Sequence, residues 1–195
     1  LRVKVKLPNR ELEGQAMELA WNRQNRWDVT EEDYLKTVGG KTASLVKASC
    51  HVGALLGGGT EKQCAALSEY GYKIGLVFQI QDDILNLVGK EEKYKKEIGG
   101  DIREGKRTLM VLHCLPKLSL LDAQKMKKLL GAGKNSPVEI GWCVQKMKST
   151  GSIEYASKFA RSLVDDAVSS LSIFPSGNEK KELEAIAKYT ITREE

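Results

Sequence analysis

The first seven residues, Leu1 to Leu7, alternate apolar and basic side chains, the two-residue period of a strand, until Pro8 closes the pattern. Nothing later repeats it. From Glu11 onward the chain reads as helices parted by residues that stop them. The expected helices are Glu11 to Arg26, Glu31 to Val38 and Thr42 to Leu56, the last halted by Gly57-Gly58-Gly59. Thr60 can then cap a long run, Glu61 to Leu87, in which Gly71 and Gly75 mark either a break or a close approach. Lys90 to Gly105 is charged and glycine-punctuated and reads as a loop. Thr108 to Leu115 follows, stopped at Pro116, then Asp122 to Leu130, Val138 to Ser149, Ser152 to Ser172 and Glu179 to Thr190. Gly131 to Pro137, Gly151 and Pro175-Ser176-Gly177 supply the breaks. The pattern predicts an all-α bundle over 1-195, one domain, with no internal repeat.

Composition narrows the class. At 195 residues, with 41% hydrophobic and 29% charged positions, the chain is expected to build one globular core. The best apolar candidate for a membrane span, Ile74 to Val88, is interrupted by Gln79, Gln81, Asp82, Asp83 and Asn86, so no transmembrane segment is expected. Leu1 is followed by no charged-then-apolar leader, and a cytoplasmic protein is the expectation. Cys50, Cys64, Cys114 and Cys143 lack CxxC or Cys/His spacing and suit reduced core thiols. The net charge of +5 is spread among interleaved acids and bases, without the basic stripe and aromatics that nucleic-acid binding calls for. The aromatics Trp21, Trp27, Trp142, Tyr155 and Phe159 suit core packing, and neither His51 nor His113 has a partner at ligand spacing.

The chemistry concentrates in Phe78-Gln79-Ile80-Gln81-Asp82-Asp83-Ile84-Leu85-Asn86. Gln79, Asp82, Asp83 and Asn86 lie at i, i+3, i+4 and i+7, one helical face within about 100°. Adjacent carboxylates on a largely apolar helix are costly unless something positive neutralises them. Oxygen-only donors suit Mg2+ sharing its shell with water and phosphate. The spacing alone fits a solvated acidic face paired with lysines equally well. The segment that follows shifts the balance: Lys96, Asp101, Lys106 and Arg107 sit among Gly99, Gly100 and Gly105, where backbone and ammonium groups can meet phosphate. Lys41-Thr42, after Gly39-Gly40, opens another helix where an anion could sit.

These segments resemble the trans-isoprenyl diphosphate synthases. Phe78 to Asn86 looks like the family's second aspartate-rich motif, and Gly99-Gly100-Asp101-Ile102-Arg103-Glu104-Gly105-Lys106-Arg107-Thr108 like its downstream lysine loop. Gly14-Gln15, Lys41-Thr42, Gly151 to Ala156 and Tyr189 to Arg193 match in order. The resemblance runs from about Glu11 to the C-terminus. It implies the isoprenoid synthase bundle and condensation of isopentenyl diphosphate with an allylic diphosphate, with Mg2+ as cofactor and a homodimer as the assembly.

By the same resemblance Lys41, Lys96 and Lys106 contact the allylic diphosphate and act in catalysis, with Thr42 and Gln79 in the same cavity. Asp82 holds Mg2+, with Asp83 and Asn86 in the same acidic motif. Arg103 and Arg107 give charge support only. Asn86 stands where many members carry Asp, which favours the geranylgeranyl subtype, and Lys95 stands where a glycine is usual. The family's first aspartate-rich motif would lie upstream of Gly14-Gln15, and nothing in Leu1 to Glu13 resembles it. Hence a second expectation from another class: a non-catalytic or truncated subunit that scaffolds or modulates a complete synthase. A terpene cyclase is disfavoured, because Asp82-Asp83 lacks the Ser and Glu of that metal triad.

Overall fold

The computed structural model describes residues 7–89 and 98–193, with side chains from Leu12 onward in the first helix. The alternating stretch at 1–6 and the Lys95-Lys96 pair lie outside the described residues. Among the described residues every regular element is helical, as the all-α expectation requires: α1 Leu7–Arg23, α2 Glu31–Val38, α3 Ser44–Leu56, α4 Glu61–Val88, α5 Gly100–Glu104, α6 Leu109–Cys114, α7 Leu120–Leu129, α8 Pro137–Ser149, α9 Ser152–Ser170 and α10 Asn178–Thr192. No described helix is long and apolar enough to cross a membrane.

Local chemistry accounts for most of the boundaries. Pro8 falls in the first turn of α1, where its missing N–H would have had no helical partner, so the helix starts earlier than Glu11. Thr60 and Gln63 exchange hydrogen bonds at the start of α4, and Ser136 and Glu139 form a full capping box on α8. Ser119 accepts the Asp122 N–H and starts α7 two residues before the expected Asp122. Two elements differ in kind from expectation. Gly39–Ala43 is a five-residue π-helical turn, with the Ser44 N–H bonded to Gly39 O, where the helix beginning at Thr42 was expected. Gly100–Glu104 is a short helix inside the expected loop.

The chain groups into two compact units. The first comprises 1–16, 35–79 and 160–193; the second comprises 17–34, 80–159 and 194–195. Buried in the first are Tyr70, Ile74, Val77, Val164, Ala167 and Leu171. Here Gly71 and Gly75 are close approaches and not breaks, since α4 runs uninterrupted past both. A Cβ on Gly75 would fall 2.5 Å from Ala43 Cα, and one on Gly71 2.8 Å from both Cys50 Sγ and Val46 O. Buried in the second unit are Trp21, Ile80, Ile102, Met110, Met126 and Met147. All four cysteines are free thiols, three of them buried.

Candidate functional site

The expected site residues fall into two groups, each within one unit. In the first unit the π-helical turn carries Lys41 and Thr42, both half-buried. Its backbone lies against α1 at Gly14, where a Cβ would stand 2.7 Å from Thr37 O and 2.8 Å from Lys41 N, so only glycine leaves that approach open. Ser44 Oγ donates to Gly40 O at 2.6 Å within the turn. Thr42 Oγ1 donates to Gln79 Oε1 at 3.1 Å, tying the turn to α4. Beside Gln79, the Arg193 guanidinium lies 4.0 Å over the Phe78 ring and donates to Phe78 O at 3.0 Å, which docks the end of α10 there.

In the second unit the three acidic-stripe residues occupy different environments. Asp82 is half-buried. Asp83 is only 4% exposed and accepts the Tyr34 hydroxyl at 2.8 Å. Burial, followed by the Asp83 carboxylate, raises the Tyr34 phenol well above its ordinary value and keeps it a donor. Asn86, also buried, accepts the Asp101 backbone N–H on Oδ1 at 3.0 Å, while its carbonyl accepts from Gly99 N at 2.7 Å. Asn86 therefore caps α5 from fifteen residues upstream. Gly99, with φ +77, makes the bend that permits it.

On the far side of α5, Lys106 Nζ meets Asp101 Oδ1 at 2.5 Å and Glu104 Oε2 at 3.2 Å. Burial pulls the Lys106 pKa down, but the two carboxylates outweigh it and hold the ammonium above its ordinary range. Burial pushes the Asp101 carboxyl up, while Lys106 draws it back. Arg107, expected to give charge support, is instead 5% exposed and turned toward backbone carbonyls of residues 21–26 and Gly105. Lys96 lies outside the described residues.

Among the described residues no three His, Cys, Asp or Glu side chains gather into a complete metal cage. The donors are oxygens, one half-buried carboxylate with others close behind it. That set fits a hard cation that takes the rest of its shell from water and phosphate oxygens, as Mg2+ does. Sequence reasoning missed Tyr34, which bonds Asp83, and Asn22, which accepts from Arg107 and donates to Glu104 O: both lie far along the chain from the groups they bond, and a single sequence carries no signal for such pairings.

With this geometry in hand, three comparisons bear on it. Residues 6–147 match the family model described as polyprenyl synthetase. A short chain isoprenyl diphosphate synthase of Methanothermobacter thermautotrophicus is 38% identical over 182 residues, covering 93% of this chain and 55% of the relative. The crystal structure of geranylgeranyl pyrophosphate synthetase from Pyrococcus horikoshii superposes with a TM-score of 0.88 at 36% identity, covering 97% of this chain and 57% of that one. The geranylgeranyl pyrophosphate synthase of Corynebacterium glutamicum, in complex with isoprenyl diphosphate and magnesium, gives 0.86 at 27% identity, over 96% and 53%. The chain spans about half the length of the relatives it matches.

Proposed function

The chain belongs to the polyprenyl synthetase family, and on that premise we propose that it serves the condensation of isopentenyl diphosphate with an allylic diphosphate. The product is a longer all-trans isoprenyl diphosphate, and the Asn86 position favours geranylgeranyl diphosphate. The observation that carries the reading is the Lys106 turn. An ammonium held between Asp101 and Glu104, just past the end of a helix capped by the residue that ends the Asp82 motif, belongs to the same unit as that motif's half-buried carboxylate.

In the reaction the allylic C–O bond breaks, its electron pair leaves with pyrophosphate, and the double bond of isopentenyl diphosphate captures the cation before a proton is lost. Negative charge gathers on the leaving oxygens, so donors placed there act chiefly in the transition state. By the family resemblance Lys41, Lys96 and Lys106 are the residues that donate to those oxygens. Thr42 and Gln79, already hydrogen-bonded to each other, hold the Lys41 turn in place. Asp82 is the residue that would hold Mg2+, with Asp83 fixed behind it by Tyr34 and Asn86 committed to the Asp101 turn. Mg2+ bound there supplies neutralisation of the departing diphosphate. The solved structure of a relative in complex with isoprenyl diphosphate and magnesium supports this choice of ligand and cation. The reading includes a homodimer, which sedimentation velocity checks.

The test is product formation from labelled isopentenyl diphosphate with dimethylallyl, geranyl or farnesyl diphosphate in Mg2+, comparing the chain with Asp82→Ala. Turnover abolished by the substitution supports the proposal and gives the product length. No product from a preparation whose intact mass matches these residues contradicts catalysis by this chain and leaves the non-catalytic subunit.

A further inference from the structure

Arg107 is a buried cation whose hydrogen-bond acceptors among the described residues are all neutral. Nε donates to Arg26 O at 3.2 Å, Nη1 to Asn22 Oδ1 at 2.5 Å and to Gly105 O, and Nη2 reaches Trp21 O at 3.5 Å. The guanidinium lies 4.1 Å over the Trp27 ring, whose Nε1 donates to Asn25 Oδ1 at 2.9 Å. These four bonds occupy four of the five N–H groups a guanidinium has, so this side chain has little left for an anion.

The neighbouring contacts show what the arrangement grips. Asn22 Nδ2 donates to Glu104 O at 3.2 Å, so one amide at the end of α1 bonds both sides of the Glu104-Gly105-Lys106-Arg107 turn. The turn is held from its other side as well. Gly105 has φ +71, a Cβ on it would lie 2.8 Å from Gly131 Cα, and the Gly131 N–H donates to Ile102 O at 2.9 Å. Lys106, between the gripped residues, donates its own N–H to Asp101 O at 2.9 Å. Its Cα has little freedom, and the reach of its ammonium is set by that backbone.

We propose that Asn22 and Arg107 are positioning residues for Lys106, a clasp from the end of α1 that fixes the turn so that the Lys106 ammonium meets a diphosphate. The inference rests on the diphosphate reading of Lys106 given above. It assigns Arg107 a role in shape and not in charge, which is why lysine is no substitute: three donors on one point cannot span the end of α1 and Gly105 or stack flat on Trp27.

The experiment is calorimetric titration of inorganic pyrophosphate in Mg2+ into the full chain and its Asn22→Ala, Arg107→Lys and Lys106→Ala variants, with each clasp substitution also combined with Lys106→Ala. Asn22 is half-buried near the end of a helix, where alanine is a good helix former, so that variant keeps the fold. Asn22→Ala and Arg107→Lys are each expected to weaken pyrophosphate binding about tenfold. Neither should weaken it further once Lys106 is alanine, a non-additivity that general loss of structure would not produce. Wild-type affinity in Arg107→Lys, or losses that add to that of Lys106→Ala, would overturn the clasp. Undiminished binding by Lys106→Ala would overturn the diphosphate reading itself and the clasp with it, whereas loss in Lys106→Ala alone would overturn only the clasp.

Discussion

Asn86 has two uses in principle, as a weak oxygen ligand and as the cap of α5, and its amide oxygen is spent on the second, accepting the Asp101 N–H at 3.0 Å. Replacing it by alanine leaves that buried donor without its acceptor and is expected to cost about 1–3 kcal/mol. Asn86→Asp keeps an acceptor and should retain most of the stability. Urea unfolding of the two variants separates them, and an alanine variant as stable as the parent would remove the cap from the account. His113 offers a second reading at this scale. Lys117 Nζ donates to its Nε2 at 2.7 Å, which leaves Nδ1 as the proton donor to Ser152 Oγ at 2.9 Å, and the ring stacks 4.0 Å from Tyr155. Burial and then Lys117 place the imidazole below 6.5, with Glu31 opposing. The unfolded chain therefore takes up its proton first as pH falls. The stabilisation is fully present above the ordinary imidazole value and is lost as pH falls through the folded one. Thermal midpoints between about pH 7 and about pH 5 should drop more in the parent than in His113→Gln, and equal slopes would contradict the assignment. Neither role was legible in the sequence, which gave His113 no partner and Asn86 only a ligand's part, because both depend on residues that the fold brings in from elsewhere.

At the scale of elements, Gly75 of α4 and Gly141 of α8 make opposite predictions from the same chemistry. Gly75→Ala places a methyl against Ala43, and overpacking of this kind costs about 1–3 kcal/mol, more than the ~1 kcal/mol that alanine gains in helix propensity. Gly141→Ala, in α8, meets nothing within 4 Å at an exposed position and should be neutral or stabilising by up to ~1 kcal/mol. Thermal unfolding of the pair checks both signs, and a destabilised Gly141→Ala or an unaffected Gly75→Ala would count against the packing described. Most helices were readable before the fold was known because their stops are local: Gly57-Gly58-Gly59, Gly151 and Pro175-Ser176-Gly177 act through their own backbones. The π-helical turn and α5 were not. A five-residue helix cannot sustain itself, and α5 exists because Asn86 caps it and Gly99 bends into it. The turn at Gly39–Ala43 likewise depends on Gly14 letting α1 approach.

For the whole molecule, the resemblance of the Asp82 motif and the lysine loop to one family carried further than composition, whose mixed charge spoke against nucleic acid but selected no substrate. The motif order was legible because it lies along the chain. The distinct environments of Asp82, Asp83 and Asn86 were not, since all three look alike as one helical face and only the fold buries two of them against Tyr34 and Asp101. On the proposed function, that division makes Asp82 the carboxylate on which cation-dependent binding should turn. The direct measurement is the affinity of the chain for farnesyl diphosphate with and without Mg2+, in the parent and in Asp82→Asn. The account predicts binding in the parent that strengthens by about tenfold or more with Mg2+ and a substitution that abolishes the Mg2+ effect. Binding indifferent to Mg2+, or a Mg2+ effect that survives in Asp82→Asn, would contradict it.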